Sequence, residues 1–180
     1  MAIITNFYTV DEQAGTNLNQ PQTISVTTNP EIPGPNSVLG DICQGIGGSQ
    51  WVFVQASATI TALNCIAFDE SFQAKNAVCA TASSTLTKTL AIAEFQASVA
   101  GPGDYFWAAL ACRGGALVNV QSTAAAGVQM YLSSSTPGAL TTTLVSTTTN
   151  ALIYGAIVVG ALVSATAAVE VIFTNLRTSN

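Results

Sequence analysis

The sequence predicts an all-β protein: a small β-barrel or β-sandwich body with an extended N-terminal arm. From residue 49 onward, short runs of β-branched and aromatic residues alternate with Gly- and Pro-containing turn sequences. Segments rich in Leu, Glu, Lys and Arg, which favour helices, are scarce. Because 180 residues suit one ordinary core, we divide the chain into an arm, residues 1–48, and a body, residues 49–180.

Three apolar runs are the clearest strand candidates: residues 51–55, 88–95 and 105–110. Turn chemistry separates the runs, and the segments that carry it are residues 45–48, 101–104, 113–115 and 137–138. This spacing suits hairpins and short loops. As an alternative to strands or loops, a short helix could form near residues 74–82 or 122–127.

Residues 152–169 are apolar enough to raise the question of a membrane span. The segment contains Gly155, Gly160 and two hydroxyl residues, and it lacks basic flanks. We interpret it as two buried strands joined at a turn of small residues, with a membrane span as the alternative. Val171 and Phe173 continue a period-2 pattern that is typical of a strand with one buried face.

The chain is unusually poor in charge, with 7% charged residues, nine acidic and four basic. The basic residues are Lys75, Lys88, Arg113 and Arg177. Four scattered cations cannot neutralise a run of phosphates or hold an anionic membrane surface, so we expect neither nucleic acid nor a membrane as a partner. Soluble proteins normally carry about a quarter charged residues, and this surface is therefore expected to be covered by other protein.

The arm combines prolines with scattered apolar residues. Pro30, Pro33 and Pro35 predict a non-helical connector, because proline removes a backbone donor and restricts the residue before it. The apolar residues are suited to dock in a groove or to add a strand to a neighbour, and we predict that they bind a partner: Ile3, Ile4, Phe7, Tyr8, Ile24, Val26 and Ile32. Residues 1–8 have no signal-peptide pattern, which favours synthesis in a cytoplasm.

The sequence offers few routes to catalysis. It contains no histidine, which excludes Ser-His-Asp and Cys-His arrangements. Its four cysteines lack metal-site spacing and are expected to be buried thiols rather than disulfides, so neither metal nor cofactor is predicted: Cys43, Cys65, Cys79 and Cys112. The glycine-rich residues 45–49 lack the lysine and the helix of a phosphate loop, and we interpret them as a turn.

Two sugar-directed alternatives remain. A pair of acids working as in a glycosidase is one, with these candidates: Asp41, Asp69, Glu70, Glu94, Asp104 and Glu170. Asp69 and Glu70 are adjacent, which favours a solvated loop over shared chemistry. The other is a stacking platform of aromatic rings, although core packing is the expectation for them: Trp51, Phe53, Tyr105, Phe106 and Trp107.

Residues 48–56 and 60–74, with the aromatic run 104–110, resemble the head decoration proteins of tailed bacteriophages, also called cement proteins. The resemblance extends over residues 48–176. It implies a small β-barrel or sandwich, commonly a homotrimer, placed over the junctions between major capsid protein subunits with a terminal arm on its neighbours. It implies no catalytic residue.

On this basis we predict a non-enzymatic virion protein on the outer capsid surface, made in the host cytoplasm, with the major capsid protein and itself as partners. One alternative is another virion component, such as a fibre base or tail protein. The less favoured alternative is a carboxylate-dependent enzyme that acts on glycans.

Overall fold

A computed structural model describes residues 37–45, 48–78, 89–95, 99–121, 125–133, 135–142, 152–159 and 167–178. These residues form strands and no α-helix, which confirms the all-β prediction. The predicted arm anchors lie in residues 1–36, outside the described part. The strands are β1 (Ile42–Gln44), β2 (Gln50–Ala56), β3 (Ile60–Thr61), β4 (Cys65–Phe68), β5 (Gln73–Asn76), β6 (Thr89–Ile92), β7 (Val99–Ala100), β8 (Tyr105–Val120), β9 (Gln129–Leu132), β10 (Leu140–Thr141), β11 (Leu152–Val158) and β12 (Ala167–Thr178).

Five strands close into a barrel in the order β2-β5-β4-β6-β8, because β8 pairs back onto β2. The long strand β8 also leads out of this barrel. Its first half pairs antiparallel with β2, and its second half pairs antiparallel with β12. The remaining strands follow in the order β8-β10-β9-β11-β12, while β3 and β7 form a separate ribbon. One strand therefore belongs to both halves of the body.

Four of the five barrel strands are buried on both faces, namely β2, β4, β6 and the first half of β8, whereas β5 leaves Lys75 exposed. Trp51 and Phe53 of β2 belong to one core cluster, whereas Val52 and Val54 belong to a second one. Burial on both sides explains why these strands appear in the sequence as continuous apolar runs without a polar alternation. Four of the five aromatic candidates are buried and Tyr105 is half-buried, stacked on Phe53 at a centroid distance of 5.9 Å. The expected core packing is confirmed.

The predicted strand runs 51–55 and 105–110 lie in β2 and at the start of β8, whereas the run 88–95 forms a strand only over residues 89–92, as β6. The helix alternatives are wrong where the structure describes them, since Ala74 lies in β5 and residues 126–127 form a turn. The turn predicted at residues 113–115 is also wrong. These three residues lie within β8 opposite the single residue Ile172, between the pairs Cys112–Phe173 and Ala116–Val171. They form a β-bulge, where Gly115 has a φ of +89° and a side chain would collide with Glu170.

The strands β11 and β12 are antiparallel, but β12 begins at Ala167, so only the first of the two strands predicted within residues 152–169 lies wholly in that segment. Ile157 is exposed, and the connection between the strands lies outside the described residues. The amide of Val159 donates to the carbonyl of Glu170 at 2.9 Å, and Val171 and Phe173 are buried. Across the described ranges, no helix has the length and apolar character needed to cross a membrane.

Candidate functional site

The described chain enters the body through a short turn followed by β1. We call residues 37–44 the arm root. The Asp41 amide donates to the Val38 carbonyl at 2.9 Å, and the Val38 amide donates to Asp41 Oδ2 at 2.7 Å. The carboxylate of Asp41 is therefore engaged in closing its own turn.

The arm root is fixed to the barrel. The Gly40 amide donates to the Phe53 carbonyl and the Phe53 amide donates to the Asp41 carbonyl, each at 2.9 Å. Gly40 has a φ of +89°, and a Cβ atom there would lie 2.5 Å from the ring of Phe72. Only glycine allows this close approach. Part of the predicted arm is consequently an ordered edge of the sheet.

The arm root exposes apolar side chains. Val38 is 73% exposed and Ile42 is 60% exposed, whereas Leu39 and Cys43 pack against the larger core cluster. Large apolar residues with this exposure, at the point where the arm joins the barrel, are typical of a surface that contacts protein. This is our candidate interaction site.

Three of the candidate acids shape turns. Asp69 Oδ1 accepts from the amides of Ser71 at 3.0 Å and Gln73 at 3.2 Å. Asp104 Oδ2 accepts from the Gly101 amide at 2.6 Å, in the turn between β7 and β8. With Asp41, these aspartates satisfy backbone donors, and Glu70 is exposed in the turn after β4, as the loop interpretation predicts. Within the described ranges, no group of three His, Cys, Asp or Glu residues is arranged to hold a metal ion.

Glu94 differs from the other acids because its side chain is buried. One oxygen is hydrogen-bonded to the Leu117 backbone, while Oε2 has no hydrogen-bond partner. Burial raises the pKa of Glu94 to about 8, and the Leu117 hydrogen bond acts in the opposite direction. The carboxyl group is therefore mostly neutral at pH 7. In the sequence, the position of Glu94 within the apolar run 90–95 is the feature that indicates its burial.

A cluster of buried and half-buried amides, Asn64, Asn76 and Asn119, was not predicted. Asn119 Nδ2 donates to Asn64 Oδ1 and to the Ala62 carbonyl, both at 2.8 Å. Asn64 Nδ2 donates to Asn76 Oδ1 at 3.1 Å and lies 3.4 Å from the Pro137 carbonyl. We call these three residues the amide cluster. It joins the barrel to the loop before β10.

Two of the three described cysteines are buried thiols, as expected. Cys65 and Cys112 are buried, Cys43 is half-buried, and Cys79 lies outside the described residues. Burial raises the pKa of the Cys65 thiol to about 12. This thiol stays protonated near neutral pH, which makes it a poor nucleophile.

Comparison with protein-family models finds no family that matches this chain, and comparison with curated proteins finds no similar sequence.

Proposed function

We propose that the protein is a non-catalytic structural component of a bacteriophage virion that decorates the outer surface of the capsid. In this proposal it binds across the junctions between major capsid protein subunits, as a homotrimer, and stabilises the shell. The observation that carries the proposal is the apolar arm root, with Val38 and Ile42 exposed where the arm joins the barrel. The resemblance of residues 48–74 to decoration proteins supplies the identity of the partner.

The charge-poor composition supports burial as the source of binding energy. Removal of apolar surface from water contributes roughly 25 cal/mol per Å², before the costs of association. A standard interface buries about 1,600 Å² in total, and desolvating charged groups opposes its formation. A surface with few charges carries little of that penalty. Linking three copies raises the effective concentration of each arm, so individually weak contacts with the shell become lasting ones.

The aspartates of the described residues support a structural role over glycan hydrolysis. A glycosidase places two carboxyl groups about 5 to 9 Å apart across a sugar, and both must be available to the substrate. Asp41, Asp69 and Asp104 instead accept hydrogen bonds from the backbone of their own turns. Four of the five candidate platform rings are packed in the core, and Tyr105 is half-buried against Phe53.

Removal of residues 1–36 is expected to abolish capsid binding and to leave the body folded. The cut retains the hydrogen bonds of Gly40 and Asp41 to Phe53, so the arm root keeps its place on the barrel. Binding would be measured by co-sedimentation with shells assembled from the major capsid protein of the same phage, and folding by circular dichroism.

The matched full-length control is Phe7→Ser combined with Tyr8→Ser, which keeps the chain length and removes two apolar anchors. We expect weaker co-sedimentation by this variant. Unchanged binding by the truncated protein would refute the arm's role, and binding to tails instead of shells would refute the capsid location. Loss of a glycan-cleaving activity on Asp104→Asn would support the enzyme alternative.

A further inference from the structure

The outer edge of β1 has the chemistry to accept another strand. In the described part of the chain, β1 stands at one end of the ten-stranded order and pairs with β2 alone. The Gly45 amide donates to the Ser49 carbonyl at 2.8 Å, and the Phe53 amide donates to the Asp41 carbonyl at 2.9 Å. Backbone groups alternate in direction along an antiparallel strand. Those of Ile42 and Gln44 consequently point away from β2.

The strand is short, at three residues, but its side chains lack the features that normally keep strand edges from pairing. Such edges carry lysine, proline or inward-pointing charges. Residues 42–44 (Ile-Cys-Gln) contain none of these, and the Ile42 and Gln44 side chains are exposed. The nearest charge, Asp41, directs its Oδ2 to the Val38 amide. Val38 adds a second exposed apolar side chain beside the edge.

We propose that residues 23–27 of a second copy of this chain add as a strand to the outer edge of β1. This segment (Thr-Ile-Ser-Val-Thr) is uncharged and free of proline. Ile24 and Val26 are two residues apart, so they share one face of a strand and can cover Ile42. The pairing would occupy the outward backbone groups of Ile42 and Gln44, the mode known as β-strand addition.

The length and composition of the connector favour a second copy over the same chain. Residues 28–36 separate the segment from the arm root and contain Pro30, Pro33 and Pro35. Proline-rich connectors are semi-rigid and extend about 3.1 Å per residue, so nine residues reach roughly 28 Å. A tight return to the adjacent edge is therefore disfavoured. Each copy then gives a strand to one neighbour and receives one from another, which closes into a ring when the rotation fits.

The test uses the full-length protein without capsids, with association measured by sedimentation equilibrium. Gln44→Pro removes an outward amide and leaves the bonds to β2 in place, whereas Ser25→Pro disrupts the donated strand. Each variant alone is expected to associate at least about tenfold more weakly than the wild type. An equal mixture is expected to form one-to-one pairs, because one partner retains the edge and the other retains the segment.

Ile42→Lys is a second edge variant that keeps every backbone donor. Near-UV circular dichroism of the two buried tryptophans, Trp51 and Trp107, reports whether the core is intact in each variant. The proposal would be overturned if all three variants associated as strongly as the wild type, or if the wild type were monomeric. It would also be overturned if the mixture associated no better than its components. The last result would indicate pairing within one chain. The readout does not involve capsids, so it tests self-association separately from capsid binding; only a monomeric wild type would also contradict the homotrimer of the proposed function.

Discussion

Raising the pH from about 5 to about 8 is expected to destabilise the folded protein by several kcal/mol, through Glu94. Burial of the side chain raises its pKa from the ordinary value of 4.5 to about 8 in the folded protein. A group whose pKa is raised on folding contributes stability that is complete below the unfolded pKa and is lost as the pH rises to the folded one. The slope is roughly 1.4 kcal/mol per pH unit within that window. The midpoint of urea unfolding, followed by circular dichroism at a series of pH values, measures it.

The control is Glu94→Gln, which retains the shape and an acceptor for the Leu117 amide but does not ionise in this range. The variant is expected to match the wild type near pH 5 and to be more stable near pH 8. Other ionisable groups contribute little to the pH dependence of stability between pH 5 and 8, since the chain has no histidine and ordinary carboxyl groups titrate below pH 5. An equally steep decline in the variant would show that another group causes the effect.

The strands could be predicted because burial leaves a local signature. Residues 50–56 and 65–68 are nearly all apolar since both of their faces are covered, and the flanking turn residues mark where they end. Their pairing could not be predicted. The barrel closes through contacts between β2 and β8, which lie about fifty residues apart, and no local pattern specifies such a partner.

The wrong turn prediction at residues 113–115 and the unpredicted amide cluster also result from long-range pairing. Arg113 and two glycines favour a turn by their local chemistry, but pairing with β12 on both sides of them makes them a bulge. Asparagine is usually exposed, and residues 64, 76 and 119 are far apart in sequence. Only the folded topology brings them together as the amide cluster. At the candidate site, the sequence indicated an arm that binds protein, while the exposed edge at Ile42 required the structure.

Gly138→Ala is expected to destabilise the protein by roughly 3–5 kcal/mol. Gly138 has a φ of +80°, and a Cβ atom there would lie 2.7 Å from Asn64 Cγ and 2.8 Å from Asn64 Cβ. The left-handed conformation alone costs about 1–2 kcal/mol for alanine. The remainder comes from displacing Asn64, whose hydrogen bonds to Asn76 and Asn119 would be strained or lost. The backbone next to Asn64 is fixed to Gly138 as well, because the Cys65 amide donates to the Gly138 carbonyl at 2.7 Å. Thermal and urea unfolding measure the loss.

Gly127→Ala is the matched control, because Gly127 has the same φ of +80° and its Cβ position has no atom within 4 Å. It is expected to carry the conformational cost of about 1–2 kcal/mol and no steric cost. The double variant Gly138→Ala with Asn64→Gly lacks the colliding atoms. Its loss of stability is therefore expected to be smaller than the sum of the losses of the two single variants. Equal losses for the alanine variants at 127 and 138 would mean that Asn64 yields freely. In that case the amide cluster would not hold the barrel to the loop before β10.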